Sequence, residues 1–117
     1  MAEDSLTGIR DRMRVFTRER DWEQFHDPKS LTLALVGEVG ELAELLQWIP
    51  ADQAAAESSR LPLNHRLGEE LSDVLIYLVR LADVCGVDLP LAVDSKMAAA
   101  ASRFRPQDVE GVAPLKT

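Results

Sequence analysis

The 117-residue chain has one cysteine, two histidines, one tyrosine, two tryptophans and three phenylalanines. With Cys85 alone, no intrachain disulfide can form, and a small apolar side chain packed in a reducing compartment is the expectation. His26 and His65 are too few for a di-iron bundle site, which needs two E-x-x-H motifs. Only Glu23 to His26 supplies one. Ser-His-Asp or Cys-His chemistry has no support beyond the presence of the residue types. No glycine-rich phosphate loop is present either, because "GEVGE" at 37–41 lies within a helical pattern and lacks the lysine of a P-loop. No apolar run is long enough to span a bilayer, and "MAEDSLTGIRDR" lacks a basic-then-apolar leader pattern, so a cytoplasmic protein is expected. Positive charge is in deficit, 13 Lys+Arg against 20 Asp+Glu for a net charge of −7. Nucleic acid and anionic membranes need clustered positive charge and are not expected as partners. An acidic chain can still bind an anion if metal ions intervene.

What is present favours helix. The chain is 46% hydrophobic, 28% charged and only 5% aromatic, with much Leu and Ala, as in a soluble all-α domain. A first helix is predicted from an Asp4 or Ser5 cap through Leu6, Ile9, Met13 and Phe16 to about Trp22 or Phe25. Asp27-Pro28 opens a second, which ends before Pro50. From Ala51 to about Pro62 the pattern reads as a loop with room for helical turns. A third helix runs from Leu63 or Asn64 to Cys85, stopped by Gly86. The fourth starts at Asp88, has Pro90 in its first turn and ends near Phe104. Residues 1–105 are taken as one four-helix bundle domain and 106–117 as a flexible tail.

The second and third helices share an oddity. At about 100° per residue, Glu38 and Glu41 fall within the arc of Leu31, Ala34, Leu35, Leu42 and Leu45. Glu70 and Asp73 likewise fall among Leu63, Leu67, Val74, Tyr77 and Leu81. Residues three apart are neighbours on a helix, so each pair suffers like-charge repulsion, and burying all four uncompensated costs several kcal/mol per ion. A single E-x-x-E is commonly a solvated face, but two such pairs inside apolar arcs on successive helices point to a cation. Mg²⁺ fits best and Mn²⁺ can substitute, since both prefer hard carboxylate oxygens. Glu44 and Glu69 lie toward the arc edges and read as solvated or outlying.

On the fourth helix Lys96, Ala100 and Arg103 share a narrow arc, a stripe that could hold phosphate oxygens or could be a solvated basic edge. Trp22 and Trp48 end the first two helices, where a ring could stack on a base or close the core.

"ERDWEQFHDPKSLTLALVGEVGELAELLQW" together with "EELSDVLIYLVRLADVCGVDLPLAVDSKM" resembles the all-α nucleoside triphosphate pyrophosphohydrolases of the MazG-like superfamily, most closely its dCTP-hydrolysing branch. The resemblance runs from about Val15 to Met97 and includes the full E-x-x-E…E-x-x-D signature with its flanking tryptophans. It implies hydrolysis of dCTP or a modified dCTP to dCMP and pyrophosphate, with Mg²⁺ held by Glu38, Glu41, Glu70 and Asp73. Glu38 and Glu41 are the catalytic candidates, Glu41 as proton acceptor. Trp22 and Trp48 would line the base pocket with His26 and Tyr77 nearby, Lys96 and Arg103 would approach the phosphates, and the protein would be a homodimer or homotetramer with its site between subunits. Three positions depart from the pattern. Ala100 stands where the family has asparagine, Arg105 separates Phe104 from the proline, and Met13 replaces a histidine near the base. Two alternatives follow: a broad-specificity pyrophosphohydrolase with little base discrimination, and a helical metal-binding interaction module that has lost catalysis.

Overall fold

The computed structural model describes residues 5–113, and all regular structure in them is helical. Asp4 and residues 114–117 of the expected tail lie outside the described residues. Six α-helices follow one another: α1 (Leu6–Glu19), α2 (Pro28–Leu46), α3 (Ala51–Ser58), α4 (Leu63–Val84), α5 (Leu89–Arg103) and α6 (Pro106–Val109), with a single 3₁₀ turn at Glu23–Phe25. The chain divides into two compact units at Val87/Asp88. No helix among the described residues is long and apolar enough to cross a membrane.

Within the first unit α2 and α4 pack along each other, and α1 and α3 both lie against α4. Leu31 of α2 with Leu67 and Val79 of α4 form the buried apolar centre. The caps are those the sequence predicts. Ser5 accepts from the Gly8 N–H at 2.9 Å, Asp27 from the Ser30 N–H at 2.9 Å with Pro28 following, and Asp88 from the Leu91 N–H at 3.1 Å. Each side chain satisfies a donor that the helix cannot.

Two elements of the first unit differ from expectation, and α6 places a helical turn at Pro106–Val109, within the expected tail. α1 stops at Glu19 rather than continuing to Trp22 or Phe25, because Asp21 adopts φ +52° and the Asp21 and Trp22 N–H groups fold back on the Arg18 and Thr17 carbonyls at 3.2 and 2.9 Å. This is a Schellman closure with aspartate in the left-handed position that glycine usually takes. α4 ends the same way with Gly86 at φ +69°, its Val87 N–H reaching the Ala82 carbonyl at 2.8 Å. The second difference is α3, where a loop was expected. "ADQAAAES" has no apolar periodicity to signal a helix, yet alanine has the highest intrinsic helix propensity and Asp52 sits favourably in the first turn. In the second unit α5 is followed by α6, where Arg105 Nε donates to Asp108 at 2.8 Å.

Candidate metal and nucleotide site

The inward carboxylates converge where α2 lies along α4. One oxygen from each of Glu38, Glu41 and Glu70 lies within 4.8 Å of the others. Glu38 and Glu70 are half-buried and Glu41 is exposed. Oε2 of Glu38 and Oε2 of Glu70 are buried and receive no hydrogen bond. Two carboxyl groups in contact can hydrogen-bond only when one holds a proton, and as carboxylates the three present only lone pairs to one another. Burial raises the pKa of Glu38 above the ordinary range, reinforced by the charges of Glu41 and Asp73. Glu70 is raised as well, first by burial and then by Glu41, Glu38 and Asp73. Orphaned buried oxygens at this spacing fit a hard divalent cation such as Mg²⁺, whose bonds to oxygen are about 2.0–2.1 Å, after small side-chain movements.

Two cavities are lined by residues of α2 and α4. One, of about 560 Å³, is lined by Glu41, Glu44 and Gln47 of the α2 end and by Leu63, Arg66 and Glu70 of α4. The other, of about 170 Å³, is lined by Met13, Phe16, Trp22, His26, Asp73 and Tyr77, among others. Asp73, the fourth acid of the sequence motif, thus faces the second cavity and is not among the three that converge. The Schellman turn delivers Trp22 to that cavity, where it meets Phe16 edge-to-face with ring centroids 5.8 Å apart. Trp22 remains 44% exposed, leaving ring surface for a ligand.

The structure therefore brings Trp22, His26, Tyr77 and Asp73 together, and separately Glu38, Glu41 and Glu70. Trp48, just beyond α2, is 86% exposed and belongs to neither cavity. Lys96 and Arg103 lie on α5 in the second unit, both exposed, with the Arg103 guanidinium 4.9 Å from the Phe104 ring centre. Glu44 lines the larger cavity, and Glu69 pairs on the surface with His65 at 3.2 Å. Sequence reasoning missed Arg66, a cation in an otherwise acidic cavity, and Arg80, which lines the smaller one. Arg66 carries no periodic signal, and Arg80 sits inside the apolar run "VLIYLVRLA".

An all-α protein with an acidic, metal-competent cluster between two antiparallel helices is a defined class. Residues 26–105 match the MazG nucleotide pyrophosphohydrolase domain, and the chain belongs to that family. It is similar to dCTP pyrophosphatase 1 of Homo sapiens, 58% identical over 95 residues, and of Mus musculus, 59% over 99 residues. Each alignment covers 81% of this chain and 56% of the relative, so the chain spans a little over half the length of these curated proteins. Among solved structures it resembles a pyrophosphatase from Archaeoglobus fulgidus, with a TM-score of 0.75 and 34% identity over 81% of this chain and 87% of that one.

Proposed function

We propose that the chain is a Mg²⁺-dependent nucleoside triphosphate pyrophosphohydrolase that cleaves dCTP, or a modified dCTP, at the α–β phosphoanhydride to give dCMP and pyrophosphate, cleansing the cytoplasmic nucleotide pool. The observation that carries this reading is the pairing of the Glu38, Glu41 and Glu70 cluster, with its orphaned oxygens, with a cavity walled by Trp22, His26 and Tyr77. The identity to mammalian dCTP pyrophosphatase 1 supports it.

In this reading Glu38, Glu41 and Glu70 hold the metal, with Asp73 completing the set from the neighbouring cavity. When bound, Mg²⁺ would neutralise the triphosphate and make the attacking water more acidic. Glu41, the exposed member, takes the water's proton. Trp22 stacks on the base, and His26 and Tyr77 offer it polar contacts. Arg66 in the larger cavity carries phosphate charge the metal leaves, a role that the resemblance also gives to Lys96 and Arg103. We place the catalytic domain at residues 1–105 and the tail at 106–117, and the family match ending at 105 supports that boundary.

We read the active form as a homodimer or homotetramer. Leu33, Val36 and Val39 on α2 and Leu71, Leu75 and Leu78 on α4 are exposed in the single chain, more apolar helix surface than a monomer usually leaves in water. Trp48, so open here, would reach a base in a site closed by a second copy.

Bound Mg²⁺ should raise the Tm of the metal-free protein, and by more at about pH 8 than at about pH 5. Glu38 and Glu70 have raised folded-state pKa values, so between the ordinary and raised values the folded state binds more protons than the unfolded one. Their contribution to metal-free stability therefore falls as pH rises through that interval, and the metal offsets a charge that acid has already neutralised. Thermal scans with EDTA or Mg²⁺ at both pH values read this, and an increment no larger at the higher pH would contradict it.

A broad-specificity reading is favoured by one observation: Met13, with no polar group for a base edge, lines the aromatic cavity. Turnover of dCTP, 5-substituted dCTPs, dUTP and dTTP separates the two. The cytosine reading expects kcat/KM for dCTP at least about tenfold above dUTP, the value of one well-placed hydrogen bond in discrimination. Equal values across the panel would remove it.

A further inference from the structure

Arg80 is the one buried charged residue among those described, 8% exposed, and the reaction as outlined does not use it. Its Nε–H donates to Nδ1 of His26 at 3.0 Å, and its Nη1 reaches Asp83 Oδ2 at 3.4 Å. Asp83 is gripped from α1 by Arg14, whose Nε donates to Oδ2 at 2.8 Å and whose Nη2 donates to Oδ1 at 2.5 Å. The result is a chain of alternating charge, Arg14 to Asp83 to Arg80, that ends on a histidine ring at the aromatic cavity. Asp83 and Arg80 lie one turn apart on α4, so the helix itself sets their spacing.

The chemistry of the last link is restrictive. A guanidinium has donors only and stays charged, so the ring nitrogen it meets must present a lone pair. A neutral imidazole has a single N–H, which then sits on Nε2. Protonating Nδ1 as well would destroy the hydrogen bond and place two cations side by side. Burial, followed by the charge of Arg80, lowers the His26 pKa accordingly. His26 and Arg80 both line the 170 Å³ cavity with Trp22 and Tyr77.

We propose that Arg80, anchored by Asp83 and Arg14, is a positioning residue that fixes His26 as the neutral Nε2–H tautomer, giving the cavity a hydrogen-bond donor for a ring with an acceptor on its edge. O2 and N3 of cytosine are such acceptors, whereas uracil and thymine carry an N–H at ring position 3 and would meet a donor there with a donor. This rests on the aromatic cavity being the base site.

The test combines ¹⁵N NMR of the imidazole rings with steady-state kinetics on dCTP for the wild type, Arg80→Met and Arg80→Lys. With only two histidines, a His65→Gln background assigns the signals. The wild type should show one unprotonated Nδ1 and one protonated Nε2. In Arg80→Met the two signals should move toward each other as tautomers exchange, and KM should rise about tenfold with kcat within about twofold, the effect of losing one oriented hydrogen bond. Arg80→Lys, which keeps a cationic donor, should recover most of both. If Arg80→Met does not fold, Arg14→Met, at the exposed end of the chain, should give a smaller change in the same direction. A proton on Nδ1 in the wild type would overturn the proposal, as would unchanged ring signals and KM in the variants. Trp22→Ala separates this from failure of the base site: if it raises KM and Arg80→Met does not, the base site stands and the proposal falls, and if neither does, the base site itself is wrong.

Discussion

Glu41→Gln and Glu38→Gln should each lower the rate of dCTP hydrolysis by on the order of a thousandfold while leaving the metal-free protein as stable as the wild type or more so. The rate estimate follows from the several kcal/mol that a correctly held metal contributes to phosphoryl chemistry, about 4 kcal/mol being three decades. The stability expectation has the opposite sign because the cluster is repulsive when empty. Glu38 carries a buried oxygen with no hydrogen bond, and burial together with the charges of Glu41 and Asp73 raises its pKa. An amide of the same shape removes the charge and adds a donor among acceptors. Activity by product assay and Tm with and without Mg²⁺ should therefore move in opposite directions, and the Mg²⁺ increment should shrink. A solvated surface pair would show neither effect, and full activity in both variants would sink the assignment.

Asp83→Ala should destabilise the fold by about 3 kcal/mol, the low end of the cost of leaving a buried ion without its partner. The side chain of Asp83 is 12% exposed and that of Arg80 9%. Without Asp83, Arg80 retains only a neutral ring beside it. Arg14 is far more open and can be solvated where it stands. Such a loss is a large part of the roughly 5–15 kcal/mol by which small domains are stable, so urea titration should show a clear drop in midpoint. The pH dependence has a definite sign. Asp83 is held below the ordinary aspartate range, chiefly by its hydrogen bonds from Arg14. Its contribution is therefore present above that range and lost as pH falls through the lowered value. Asp83→Asn should flatten this part of the acid limb, and an unchanged limb would mean that the pair contributes nothing.

How much of this was legible follows from whether the signal is local. Three of the four acids were legible as a group because three-residue spacing inside an apolar arc is a property of one helix, and α2 and α4 place Glu38, Glu41 and Glu70 together while Asp73 lines the aromatic cavity. The caps at Ser5, Asp27 and Asp88 are equally local. The early end of α1 was hidden because aspartate rather than glycine takes the left-handed position at Asp21. α3 was hidden because alanine-rich helix formation rests on propensity and not on periodicity. The Arg80 to His26 contact joins residues 54 apart in sequence, and no spacing rule reaches it. The role of the tryptophans came from resemblance. Trp22 lines the aromatic cavity, and Trp48 is exposed in the single chain.

The central claim is that the carboxylate cluster serves cleavage between the α and β phosphates. The most direct measurement incubates the purified chain with dCTP and Mg²⁺ and follows the products by ³¹P NMR. dCMP and pyrophosphate are expected in equal amounts, with turnover abolished by EDTA and restored by Mg²⁺. Formation of dCDP and orthophosphate, or no metal-dependent turnover at all, would contradict it.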